Sequence, residues 1–338
     1  RIPSASNQRD LIVIMEKITV AAVEGGGTTF EVAIADVSAG NFEIIYRQSV
    51  ATSHDNPSST ISECAAFLEK HKPDGGYHSL GIASFGPLGV NEKDIANYGS
   101  ILMTSPKAAW RGVNLLQPLR LACQGSKREL QVAVDTDVNA PAMAEFLMRK
   151  SEEITSLAYI TCGTGVGVGL VIHGKCVHGR MHPEAGHVPV QPLKGDDFEG
   201  YSWGRDTVPF QGCHTVEAIA SSVALTERLQ KIQGSNDLDR DILADLSNDH
   251  EIWNHAANAI ANLCVTLLLT VSVEKIVLGG GVMKRSGLIE KIRHYTRDLL
   301  NGYIDLPDDL STLICHPYYE ADAGIIGAIT LAQKVMEN

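Results

Sequence analysis

Ala158-Tyr159-Ile160-Thr161-Cys162-Gly163-Thr164-Gly165-Val166-Gly167-Val168-Gly169 reads as an apolar strand running into a glycine-lined turn, with Leu170, Val171 and Ile172 leaving as a second strand. Glycines at 163, 165, 167 and 169 let the backbone fold tightly and bring bare N–H groups close to an anion. Thr161 and Thr164 add hydroxyl donors. The pattern has an echo near the start of the chain, Val23-Glu24-Gly25-Gly26-Gly27-Thr28-Thr29, flanked by apolar residues 18–23 and 30–34. Two such hairpins, each opening one half of the chain, predict two related α/β lobes that hold a phosphate chain between them.

The 338 residues are 44% hydrophobic, enough for an ample core and two domains. A net charge of −12 argues against nucleic acid and anionic membrane as partners. The seven cysteines, at 64, 123, 162, 176, 213, 264 and 315, are odd in number and scattered, which suits reduced thiols rather than a disulfide framework. No span reads as long enough to cross a membrane. The most apolar stretch, 260–273, carries Asn262, Thr266, Thr270 and Ser272 and reads as a buried helix. Residues 1–14 read as a flexible N-terminal extension before a natural start at Met15, and their apolar run is too short for a signal peptide. The expected setting is cytoplasmic.

Read in order, residues 18–23, 30–34 and 42–46 form a three-strand meander. Asn56-Pro57 starts a helix that places Ile61, Ala65 and Leu68 on one face. A buried strand over 80–84 ends in Phe85-Gly86-Pro87, at the kind of sheet edge where α/β proteins bind ligands. A polar loop over 98–110 leads to a helix near 114–122. The strand at 131–134 then runs into Asp135-Thr136-Asp137-Val138-Asn139, followed by a helix over 140–148. Beyond the second hairpin, residues 174–217 show little regular pattern but hold most of the histidines. Residues 215–235 and 251–271 read as helices around the polar segment 233–250. A strand at 275–278 is followed by Gly279-Gly280-Gly281, and a last helix spans 323–335. Alternating strands and helices make the chain α/β. The expected division is a small lobe over 15–137, a large lobe over 138–320, and a C-terminal helix, 321–338, that returns toward the first.

Asp137 is the first candidate for chemistry, because it follows a buried strand at a helix start, where a carboxylate can point into a crevice. Asp135 or Asp137 could equally cap the helix. One such carboxylate suffices for phosphoryl transfer, which is otherwise a matter of positioning and charge neutralisation. Glu184 and His187, in His182-Pro183-Glu184-Ala185-Gly186-His187, form a compact polar cluster, with Glu217 further on. Each could also be a surface residue or a cap, and a histidine near cysteines could hold a metal. The small residues of Ala323-Gly324-Ile325-Ile326-Gly327-Ala328 read as a packing surface.

Together these segments resemble the ROK family of sugar kinases, on its fructokinase side, from about residue 18 to the C-terminus. Residues 24–28 resemble its first phosphate loop, 161–167 its second, 136–140 the segment with its catalytic aspartate, 182–187 its sugar-binding motif, and 278–282 its adenosine motif. Residues 81–87 and 98–107 resemble segments of the fructokinase branch. The resemblance implies a two-lobed actin-like ATPase (ribonuclease H-like) fold with a central cleft. It also implies ATP, Mg²⁺ and a hexose as ligands, and D-fructose phosphorylated at its 6-hydroxyl.

Under it Asp137 is the base, and Thr136, Glu184, His187, Glu217 and Pro106 contact the sugar. Gly25, Gly26, Gly27, Thr28, Thr29, Thr161, Gly163, Thr164, Gly165, Gly279, Gly280 and Gly281 contact the nucleotide. Glucose, mannose or N-acetylmannosamine are alternative substrates, and a sugar-responsive repressor or non-catalytic sensor is a further alternative. A homodimer is compatible with the family. Two departures stand out. Thr29 stands where many relatives have lysine, and the family's structural zinc is left with His187, Cys213 and His214, since Val208 and Gln211 occupy two ligand positions. Without zinc, the 194–214 segment is expected to be held by packing of Phe198, Tyr201, Trp203 and Phe210.

Overall fold

A computed structural model of the chain describes residues 18–38, 41–235 and 239–337. The expected extension over 1–14 lies outside the described residues. Two five-stranded sheets form the frame. The first orders its strands β3 (Asn41–Ala51), β2 (Thr29–Ser38), β1 (Ile18–Gly25), β4 (Ser79–Ser84) and β5 (Gln131–Thr136). The second orders them β8 (Lys175–Cys176), β7 (Val166–Ile172), β6 (Ser156–Cys162), β9 (Ile276–Gly279) and β10 (Ile314–Cys315).

In both, the first three strands pair antiparallel and the next two join in parallel. The duplication suggested by the two glycine turns is therefore real at the level of topology. Each turn joins the central strand of its sheet to the neighbour on its antiparallel side. Parallel strands covered on both faces should be apolar throughout, and all six residues of β4 are buried.

The first sheet is followed by α1 (Pro57–Lys70) and α2 (Leu116–Cys123) on one face, which close a core around Phe30, Leu68, Leu80, Ile82 and Trp110. Its other face takes α3 (Asn139–Met148) and the C-terminal α9 (Ala323–Lys334). The approach is close enough that a side chain at Gly81 would overlap the Ala328 carbonyl, and Ser79 Oγ donates to Ala332 O at 2.6 Å. Glu145 of α3 accepts the backbone N–H groups of Tyr318 and Tyr319 at 3.1 Å each, fixing where the chain enters α9.

The second sheet packs on α4 (Val216–Ala220), α5 (Ser222–Gln233), α6 (Ile242–Asp245), α7 (Ile252–Thr270) and α8 (Leu288–Leu300). Three of these correct the sequence reading. The single helix expected over 215–235 breaks at Ser221, whose extended backbone and hydroxyl, accepting from Ala224 N–H at 3.2 Å, start α5 anew. The amphipathic α8, which buries Leu288, Ile289, Ile292 and Leu300, was not anticipated. Finally, α7 is long and apolar enough to cross a membrane by length and composition, at nineteen residues and a mean hydropathy of 1.3. It is nonetheless a core helix here, with 67% of that stretch buried inside the protein.

Candidate active site

The two glycine turns, the end of β5 and the end of β9 meet in a cleft between the sheets. A cavity of about 830 Å³ is lined by Glu24 from β1, Asp137 beyond β5, Thr161 from β6, Gly279 at the end of β9, and Gly280 and Gly281 beyond it. A second, of about 790 Å³, lies beside it and shares Gly281 and Lys284, with Gly163 and Thr164 on its wall.

The first turn is held by Gly26 N–H donating to Thr29 O (2.9 Å) and by Thr52, whose hydroxyl donates to Gly26 O (2.9 Å) and whose N–H donates to Thr28 O (2.9 Å). Gly27 and Thr28 stand exposed at its tip. The second turn closes through Gly163 N–H to Gly165 O (2.9 Å), and its Gly163 carbonyl accepts Ser222 N–H (2.7 Å), setting the start of α5 against the loop. Helix N-termini favour anions, and the break at Ser221 sets one beside this turn. Thr164 Oγ1 accepts from Arg240 Nη1 at 3.1 Å. A Cβ at Gly165 would stand 2.7 Å from Glu217 Oε2 and displace it from Val166 N–H, which that oxygen accepts at 3.1 Å. Gly280 has φ +93° and lies against the Cys162 backbone, where a side chain would be both strained and obstructed.

Asp135 and Asp137 differ in their surroundings. Asp135 is buried and spends its carboxylate on Thr136 N–H (2.8 Å), Asn139 Nδ2 (2.9 Å) and His178 Nε2 (3.1 Å). Thr136, also buried, accepts Asn139 N–H at 3.0 Å, at the first residue of α3. Asp137 anchors its N–H on Ser84 O (3.0 Å), and its carboxyl faces the cavity. Desolvation pushes that carboxyl up to about 6, against the pull of the Lys107 ammonium.

Glu24 is pushed up to about 7, first by burial and then by the negative charges of Asp137 and Glu31, with Arg47 acting the other way. Glu184, whose side chain is 38% exposed, is pushed upward as well, through desolvation and then Asp137 and Glu217. Lys107 falls to about 8 because it is buried, with Asp137 opposing. These mutual influences draw Glu24, Lys107, Asp137, Glu184 and Glu217 into one electrostatic cluster. Neither Glu24 nor Lys107 stood among the sequence candidates. Glu24 was overlooked as the strand residue beside the glycines, and Lys107 because only the folded chain brings it to the turn.

Two half-buried carboxylates that repel each other are a donor pair short of positive charge, which suits Mg²⁺, an ion held by one or two carboxylates plus substrate phosphates. Glu24 and Asp137 would hold it, and it would supply charge neutralisation on those phosphates. Zinc does not fit in the same way. His187 Nδ1 is buried without a partner among the described residues, while Cys213 Sγ accepts from Arg205 Nη2 at 3.0 Å. Among the described residues no three His, Cys, Asp or Glu side chains converge as a metal site.

The anchoring of the 194–214 segment also corrects the expectation, since Trp203 and Phe210 are 55% and 61% exposed. Phe198 is buried, but the clamp is polar. Asp196 receives both Arg228 Nη atoms at 2.8 Å and lies 2.9 Å from His255 Nδ1. A fork-on-carboxylate pair of this kind is directional and holds register. Metal analysis of the purified protein should therefore find well under one zinc per chain, and a stoichiometric zinc would contradict this ligand count. Pro106 is exposed and touches Gly204 of the same segment.

The profile of the ROK family matches residues 20–335. The chain belongs to the ROK family. ROK relatives include the fructokinase of Zymomonas mobilis, 33% identical over 321 residues and covering 94% of this chain and 97% of that one. The fructokinase of Pediococcus pentosaceus is 31% identical over 319 residues, 94% of this chain and 99% of its own. Among solved ROK structures, a glucokinase from Streptomyces griseus in complex with glucose and AMPPNP superposes with a TM-score of 0.70 at 21% identity, over 94% of this chain and 99% of that one. The fold is thus the α/β, two-sheet, actin-like ATPase architecture of ROK proteins.

Proposed function

We propose that the chain is an ATP-dependent sugar kinase that transfers the γ-phosphoryl group to the 6-hydroxyl of a hexose, D-fructose foremost. The observation that carries this reading is the position of Asp137 on the wall of a cavity shared with Glu24, Thr161 and Gly279–Gly281. In this reading the two glycine turns bind the phosphates with backbone N–H groups. Asp137, at the junction of the two lobes, takes the proton of the sugar hydroxyl. Glu184, His187 and Glu217 bind the remaining hydroxyls, the arrangement that best rejects a sugar lacking one of them.

Phosphoryl transfer asks little covalent chemistry of the protein, and positioned charge suits it. Exclusion of water by the closed cleft keeps ATP from being hydrolysed. The similarity to fructokinases supports fructose ahead of glucose, mannose or N-acetylmannosamine as the substrate. A cytoplasmic setting belongs to the same reading and is supported by seven free cysteines.

Coupled ADP release over a panel of hexoses tests the substrate. The highest kcat/KM is expected with D-fructose, and activity confined to mannose or N-acetylmannosamine would overturn that assignment.

A further inference from the structure

Lys107 acts on Asp137 in the cluster of Glu24, Asp137, Glu184 and Glu217, where Arg47 acts on Glu24. It sits at the first glycine turn: its Nζ is 3.2 Å from where a Cβ on Gly27 would stand. The ammonium lies over the Phe85 ring, 3.5 Å from its centroid. Its segment is held firmly. Trp110 stacks on Phe30 at 5.4 Å, meets Phe85 edge-on at 5.2 Å and donates from Nε1 to Ser53 O at 3.0 Å. Arg111 Nε donates to Ser105 O at 2.7 Å, and Lys107 N–H donates to Ser105 Oγ at 3.3 Å.

An ammonium so placed lies on a ring and beside a glycine turn, and is acted on by Asp137. Such a group suits a site that receives an anion. Thr29, at the foot of the same turn, carries no charge. The structure therefore has a lysine at this turn, delivered from another segment.

We propose that Lys107 is a catalytic residue that contacts the phosphoryl group in transit between the nucleotide and the sugar. The inference rests on the kinase reading above. In the step it serves, the O6–Pγ bond forms and the bond from Pγ to the β,γ-bridging oxygen breaks. The electron pair leaves on the β-phosphate of ADP, and the hydroxyl proton goes to Asp137. Lys107 exchanges no proton. Its charge offsets the negative charge on the oxygens of the transferring group, where preorganised donors have their largest effect.

The test uses the full chain and K107Q, with the thermal midpoint and D-fructose binding measured alongside. K107Q is expected to keep its fold, bind fructose within about threefold, and lose kcat by about 100- to 1000-fold, the range for one transition-state donor. ADP with aluminium fluoride mimics the group in transit, and its affinity for K107Q should fall by at least about 100-fold while that of ADP alone changes little. A kcat within about threefold of the parent, or an unchanged aluminium fluoride affinity, would overturn the proposal while leaving the kinase reading intact. So would a K107Q kcat that climbs with rising pH to the value the parent has at pH 7, since the lysine would then serve only to keep Asp137 ionised. A parent chain with no turnover on any hexose would overturn both.

Discussion

Replacing Asp137 by asparagine lowers kcat by about 10²- to 10⁴-fold while D-fructose still binds, the signature of losing a base but not a shape. The amide keeps the volume and most of the polarity of the side chain, and the N–H to Ser84 O belongs to the backbone and survives. What disappears is the atom that accepts the proton. The pH profile adds a second readout. The carboxyl lies at about 6, and it is the ionised form that acts, so activity should rise as pH increases through about 6 and level off above 7. In D137N that acid limb should be absent from the residual rate. A variant with near-normal kcat would move the proton acceptor elsewhere.

E24Q is expected to separate stability from activity. The Glu24 carboxyl lies at about 7, well above its ordinary value, chiefly through burial and then through Asp137 and Glu31. A carboxyl raised in the folded state favours folding while protonated and loses that contribution as pH rises through the folded value. At pH 8 the ionised Glu24 is therefore a liability that only ligand can offset. Glutamine removes the charge, so the thermal midpoint without ligand should rise by a few degrees at pH 8, with the gain shrinking toward pH 5. Turnover should fall by about 100-fold or more, and the Mg²⁺ concentration needed for half-maximal rate should rise, because one of two carboxylates that suit the ion is gone. A variant destabilised at pH 8, or one with unchanged Mg²⁺ dependence, would show that Glu24 is a structural residue.

Much of the frame was legible because it depends on local signals. The glycine turns and their flanking strands could be read from composition and alternation, and both fall between the first two strands of a sheet. Asp137 could be found because a strand ends immediately before it. What was missed depends on distance or on competing signals. The core face of α8 is spread over Leu288, Ile289, Ile292 and Leu300 among charged residues, and was passed over after the glycine triplet. The break at Ser221 exists because residue 222 bonds a loop nearly sixty positions earlier. The clamp of Asp196 on Arg228 and His255 joins three segments, and aromatic residues in sequence gave no warning that a charged pair would do their work. Lys107 is the sharpest case. Its segment was recognised, but the ammonium acquires its meaning only beside Gly27 and Asp137.

The central claim is that Asp137 directs a phosphoryl group held by two glycine turns onto a hexose hydroxyl. Phosphorus NMR of the protein with Mg²⁺, ATP and D-fructose tests it most directly. The account predicts a phosphomonoester resonance coupled to the two C6 protons, growing in step with ADP. ADP accompanied only by inorganic phosphate, or no ADP with any hexose, would contradict it.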